Sequence, residues 1–173
     1  LPGFEKRLPA ATVIGSREPG LFISFLAGRV PGVQVENPRQ TSAFHYPRAY
    51  GPISPSFSRA TLLGHNLLVS GTASVVGHLT QHPHDVLAQC AEMLANVDAL
   101  LAHARQHHFG GTQGTWTPQA LRLYLRHDVD LARVLPQIHA AFGSRTPITL
   151  LRGDISRSDL MLEIEGVWAY SPP

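Results

Sequence analysis

The sequence predicts an α+β domain in which a mixed β-sheet carries two helices packed on one of its faces. Three observations carry that prediction. From residue 59 onward the periodicities run β-β-α-β-α-β-β. Two segments repeat apolar residues at helical spacing, giving one stripe each. The strands between them alternate, so each offers one apolar face and one polar face, and a shared apolar face is what two helices can cover.

Each element has its own signal. Arg59–Leu63 and Asn66–Val75 form a hairpin turned at Gly64-His65. Asp85–His107 is a helix, with Leu87, Cys90, Ala91, Leu94, Val97, Leu101 and Ala104 on one stripe and Gly110-Gly111 ending it. Cys90 lies on that stripe and reads as a small core residue. Leu121–Arg126 alternates, leucines one way and Arg122, Tyr124 and Arg126 the other. A second helix spans about 130–142, and Pro136 kinks or divides it. Residues 147–155 form a strand. The last strand, 160–165, places Leu160, Leu162 and Ile164 on one face and Met161, Glu163 and Glu165 on the other.

Upstream, residues 1 to about 50 read as extended structure. Leu21–Leu26 has the composition of an apolar strand, Val33–Glu36 alternates strictly, and Gln40–Tyr46 is a second polar–apolar run. Residues 47–58 are rich in Pro, Ser and Gly and read as a linker or an active-site loop. The expected division is residues 1–55 as the tail of a preceding domain plus linker, and residues 56–173 as the catalytic domain.

Composition narrows the function. The formal charge is +2, from 14 Lys+Arg against 12 Asp+Glu, and the basic residues are scattered rather than clustered, which argues against a nucleic-acid surface. Lys6 is the only lysine. An arginine-rich inventory suits small anionic ligands, because guanidinium grips carboxylates with two parallel hydrogen bonds; a GC-rich genome explains it equally. With 1 cysteine there is no intrachain disulfide, and the 10 histidines show no metal-ligand spacing. No apolar run reaches membrane-spanning length and no signal peptide opens the chain, so a cytoplasmic location is expected.

Several stretches carry a more specific signal. They are Asn37-Pro-Arg-Gln40, Tyr46-Pro-Arg-Ala-Tyr-Gly-Pro-Ile-Ser-Pro-Ser-Phe-Ser-Arg59, Ser70-Gly-Thr-Ala-Ser74 with Val76-Gly-His78, Leu123-Tyr-Leu-Arg126, Gly153-Asp-Ile-Ser-Arg157 and Leu162-Glu-Ile-Glu-Gly166. From about residue 12 to the end, the set resembles the chorismatases, a branch of the Rid/YjgF superfamily. The resemblance implies a Rid/YjgF-like (chorismate-mutase-like) fold and hydrolysis of the enol ether of chorismate. The products would be pyruvate and a hydroxybenzoate: 3-hydroxybenzoate, alone or with 4-hydroxybenzoate. It implies no metal and no organic cofactor. It also implies that residues 1–55 are the tail and linker of an N-terminal Rid-like domain whose remainder is missing from this segment, and a homotrimer is a further expectation for the fold.

Cleaving an enol ether starts by protonating its terminal methylene, which needs a carboxylic acid that keeps its proton near neutral pH. From the residues alone, Glu163 reads as a solvated strand carboxylate; the resemblance assigns it the acid role. Two substrate carboxylates call for arginines, with Arg126 first, Arg59 next, and Arg48 with Tyr50 closing over the ring. Gly71 and Ser156 match the pair of positions that separates product types. Gly71 agrees with members that form 3-hydroxybenzoate, whereas Ser156 stands where those members carry cysteine. Two rival readings remain: a catalytically silent Rid-like binding or assembly module, and an imine deaminase. The latter lacks its arginine, since Ile148 occupies that position.

Overall fold

A computed structural model describes residues 7–111 and 113–173. Its centre is a six-stranded sheet built from β2 (Val33–Val35), β3 (Ala60–Leu63), β4 (Asn66–Ala73), β7 (Thr115–Leu125), β8 (Ile148–Arg152) and β10 (Leu162–Ser171). The spatial order is β2-β3-β4-β10-β7-β8. Every pairing is antiparallel except β7 with β8, the two strands joined through a helix. Two small ladders flank the sheet: β5 (Val75–Val76) with β6 (Leu79–Thr80), and β1 (Ile14–Gly15) with β9 (Asp154–Ile155).

Helices α1 (Val86–His108) and α2 (Leu131–Phe142) pack on one face. Their stripes meet Leu121, Leu123, Leu125, Leu162 and Ile164 in one core that also holds Leu67, Val69 and Trp168. The predicted α+β arrangement, with two helices on one side of a mixed sheet, is therefore the observed one. α1 begins where Asp85 accepts from the backbone N–H groups of Leu87 and Ala88, both at 3.1 Å. α2 runs through Pro136 without dividing.

Buried amides tie α1 to the loops that frame the helix-free face. Asn96, fully buried, donates to the carbonyls of Ala73 and Val75 at 2.9 Å each and accepts from Arg39 Nη1 at 2.9 Å. Gln89 donates to Asp159 O at 2.7 Å and accepts from Met161 N–H at 2.8 Å. Replacing Asn96 with alanine takes a buried donor from the Ala73 carbonyl, leaves the Val75 carbonyl with Gln40 Nε2 at 3.0 Å, and strips Arg39 Nη1 of its acceptor. The expected destabilisation is about 2–4 kcal/mol, read as a lower urea midpoint at unchanged slope.

Three sequence expectations are corrected. Leu21–Leu26 is not a strand: its chain pairs with nothing described, and Leu21, Phe22, Ile23, Phe25 and Leu26 are 75–86% exposed. β-propensity needs an edge to pair with, and composition cannot supply one. Gln40–Tyr46 instead bends through a single helical turn at Ala43–His45. Finally, β10 does not stop at Glu165; it continues past a bulge in the facing strand β4 and runs to Ser171 alongside the full length of β7. Leu160 precedes that strand. It joins a satellite cluster with Ala73, Val75 and Ile155, while Met161 enters the main core.

The helix-free face is crossed by residues 8–15. Ala10 N–H donates to Thr61 Oγ1 at 2.8 Å and Ala11 N–H to Ser70 Oγ at 2.9 Å. Thr12 Oγ1 accepts from Gly71 N–H at 2.8 Å, and Ile14 and Gly15 pair with Ile155 and Asp154.

Candidate active site

Period-two alternation on β10 puts Glu163 and Glu165 on the helix-free face, two residues apart, beside Tyr124 and Arg122 of β7. Their environments are opposite. Glu165 accepts from Tyr124 Oη at 2.6 Å and Arg122 Nη1 at 2.8 Å, and from the Thr12 hydroxyl. Burial raises its pKa, but those three donors outweigh burial and hold it below the usual carboxylate range. Arg122 is thus the partner of Glu165 rather than an isolated surface charge.

Glu163 is 7% exposed, and no hydrogen bond or ion pair among the described residues reaches its carboxyl group. Burial pushes its pKa up to about 7, the charge of Glu165 pushes the same way, and the cation of Arg59 opposes both. One of the two neighbouring carboxyls is therefore fixed as an anion while the other keeps its proton into the neutral range. That division of roles suits general-acid chemistry.

Gly71 makes room for the acid. The β4 strand bulges against β10 here, and a Cβ on Gly71 would overlap Glu163 Oε1, lie 2.8 Å from its Cδ and 3.0 Å from Thr12 Cγ2. The Glu163 carboxyl fills the space that any side chain at position 71 would need.

Arg59 lies just before β3 and is 5% exposed. Its Nη2 donates to Thr41 O at 2.7 Å and Tyr46 Oη at 2.8 Å, and its guanidinium sits 5.5 Å and 5.4 Å from the ring centroids of Tyr46 and Phe57. Its Nε–H is buried without an acceptor, and it has no ion-pair partner among the described residues. A buried cation with an orphaned donor is costly unless an anion completes it.

The other sequence-predicted residues divide. Tyr50 joins the cluster: its hydroxyl donates to His78 O at 2.6 Å, and its ring lies 5.5 Å from that of Tyr46. Arg48 shares the single helical turn of Tyr50 but is exposed. Ser156 is exposed on the loop after β9. Arg126 is placed differently from the expectation of a free carboxylate ligand. Nε donates to Leu160 O at 2.8 Å, Nη2 to Ile155 O at 2.8 Å and Arg157 O at 2.9 Å, and Nη1 to Asp154. Its guanidinium fork is engaged in holding the 154–160 loop.

The sequence reading missed Arg157, whose guanidinium stacks 4.3 Å from the centroid of Tyr50 and 5.4 Å from that of Tyr46. The signal was its place at the end of the Gly153–Arg157 motif. Cys90 is fully buried in the core, where burial pushes its thiol up to about 11, so it is no nucleophile. Among the described residues no group of three His, Cys, Asp or Glu side chains could hold a metal ion, and no helix is long and apolar enough to cross a membrane.

No family model matches the chain. It is 40% identical over 172 residues to a 3-hydroxybenzoate synthase of Streptomyces hygroscopicus, an alignment covering 93% of this chain and 51% of that protein. A crystal structure of a chorismatase superimposes with a TM-score of 0.79 at 34% identity, covering 94% of this chain and 51% of that one. A Rid-family protein of unknown function from Yersinia pestis superimposes with a TM-score of 0.52 at 19% identity over 74% of this chain and 98% of that one, which bears on the fold alone. The chain spans about half the length of the curated relatives it matches. It is homologous to the chorismatases, and its fold is that of the Rid-type proteins.

Proposed function

We propose that this chain carries the acid-bearing site of a chorismatase, cleaving the enol ether of chorismate to pyruvate and a hydroxybenzoate. The observation that carries the reading is the pairing of a buried, hydrogen-bond-free carboxyl, Glu163, with a buried guanidinium, Arg59, that lacks a counterion. An acid that keeps its proton beside an unfilled cation fits an anionic substrate that must be protonated on carbon. The similarity to proteins named chorismatase and 3-hydroxybenzoate synthase supports the substrate.

In the proposed sequence, Arg59 takes a substrate carboxylate and fixes the orientation of the ring. The Glu163 O–H gives its proton to the terminal methylene carbon, the alkene pair forming the new C–H bond and leaving an oxocarbenium ion. Water adds to the cationic carbon that bears the ether oxygen, not to the new methyl group, and returns a proton to the Glu163 carboxylate. The hemiketal hydroxyl then gives up its proton to the ring oxygen as the bond to that oxygen breaks, releasing pyruvate and a ring alcohol. Loss of water from the ring then gives the aromatic product, so no water is consumed overall. Glu165 stays ionised throughout, which keeps the proton on its neighbour. Arg126 holds the loop that carries Ser156 and Arg157. Ser156 stands at the position the resemblance links to product choice, with 3-hydroxybenzoate, alone or with 4-hydroxybenzoate, as the expected outcome.

The direct test is to incubate the protein with chorismate, follow pyruvate through a lactate dehydrogenase couple, and identify the ring product by chromatography. Chorismate bound without pyruvate release would favour a silent binding module. Gly71→Ala is the sharpest local probe. Its methyl group must displace the Glu163 carboxyl, and a misplacement on the order of 1 Å costs about a hundredfold. The expected loss in kcat is therefore about tenfold to a hundredfold, with the melting temperature little changed, measured in the same assay and by thermal denaturation.

A further inference from the structure

Five of the described arginines are tied up in ion pairs, and six more, Arg7, Arg17, Arg29, Arg48, Arg105 and Arg145, make none among the described residues and lie away from the Tyr46 ring contacts, five of them exposed. Arg39, Arg122, Arg126, Arg133 and Arg152 each pair with a carboxylate: Glu92, Glu165, Asp154, Asp130 and Asp128 respectively. Arg59 and Arg157 pair with none among the described residues, yet both sit against the ring of Tyr46, at 5.5 Å and 5.4 Å from its centroid. Two cations held around one aromatic ring repel each other, and this arrangement is favourable when anions lie between or beside them.

Arg157 is also built into place. Tyr50 covers it at 4.3 Å, Thr80 Oγ1 accepts from its Nη1 at 3.2 Å, and its own carbonyl accepts from Arg126. The remaining donors of its guanidinium have no acceptor among the described residues. A planar, pre-positioned guanidinium with free N–H groups is a carboxylate ligand in waiting.

We infer that Arg157 anchors the second carboxylate of a six-ring dicarboxylate whose first carboxylate is held by Arg59, with Tyr46 as the shared wall. This deepens the proposed function and rests on its placement of Arg59, but it concerns recognition rather than chemistry. The selectivity is for two carboxylates over one: the Arg59 end accepts any ring carboxylate, and the Arg157 end discriminates.

The test uses two unreactive probes, 3-(carboxymethoxy)benzoate and 3-methoxybenzoate, which differ by the second carboxylate, with dissociation constants from isothermal titration. The protein should prefer the dicarboxylate by about tenfold to a hundredfold, the range of a charge-assisted hydrogen-bonded contact. Arg157→Ala should erase that preference while leaving 3-methoxybenzoate binding unchanged, which also reports an intact fold, and Arg157→Lys should restore part of it. Equal binding of the two probes by the parent protein overturns the inference, as does failure to bind either. An equal loss of both probes in the alanine variant overturns it too, because Arg157 would then act only by bracing its loop. Selective probe binding without pyruvate release from chorismate would leave this anchor standing and remove the chorismatase reading.

Discussion

Replacing Glu163 with glutamine is expected to lower the rate of pyruvate release from chorismate by about a thousandfold while ligand binding persists, since general-acid catalysis by one positioned side chain contributes on the order of 10²–10⁴. Glutamine preserves size and polarity and removes the transferable proton, so the loss reports chemistry rather than packing. In the parent protein, activity should fall as pH rises through about 7, because the active form is the protonated one. The same substitution carries a stability signature of defined sign. The folded-state pKa of about 7 lies above the ordinary 4.5, so the native state binds more protons than the unfolded chain between those values. The contribution of Glu163 is fully present below pH 4.5 and is lost as pH rises through 7. Its full span is about 3 kcal/mol. The glutamine variant should therefore be more stable than the parent at pH 8 and indistinguishable from it near pH 4.5, as read by urea unfolding at the two pH values.

Arg59→Ala should raise KM for chorismate by about a hundredfold or more, since cutting one partner from a buried charge pair costs about 2–5 kcal/mol. The change in kcat should be smaller, because the acid remains in place. Removing the cation also has an electrostatic corollary. Arg59 holds the Glu163 proton less tightly bound than burial alone would, so its loss moves the alkaline limb of the rate profile to higher pH. A pH–rate profile of the variant that stayed where the parent's lies would mean that the guanidinium does not sense the acid.

The parts of this molecule legible in its sequence are those set by local periodicity. The stripe on α1, the turn at Gly64-His65 and the alternation at 121–125 and 162–165 all follow from which residues must leave water. Leu21–Leu26 misled because its residues favour strands, while a strand exists only where another edge accepts it. The first half of β7 and the second half of β10 were hidden by Pro118 and Gly166, residues that punctuate most strands; here Gly166 stays paired with Val69 and Leu121 while the extra residue bulges on β4, and the register shift between Val167 and Trp168 passes Pro118. Glu163 was found as a residue type on a face, but nothing local could show that Gly71, far upstream, leaves the space it occupies. Arg126 shows the converse limit. It was read as a ligand for a substrate carboxylate, yet four acceptors from residues 154–160 take its donors, and three of them are backbone carbonyls, which leave no trace in a pattern of side chains.

The crossing of residues 8–15 over the helix-free face has a kinetic meaning. The hairpin of β3 and β4 closes over two intervening residues, whereas the contacts of Ile14 with Ile155 and of Thr12 with Glu165 join the two ends of the chain. Contacts of such long sequence separation form late, because loop closure must be completed before they return any stabilisation. The hydrophobic core can thus exist before Thr12 reaches the acidic pair. In that interval Glu165 is short of one donor and Glu163 has lost a wall. Refolding followed by tryptophan fluorescence should then run ahead of refolding followed by recovered turnover: this protein becomes a fold first and a catalyst second.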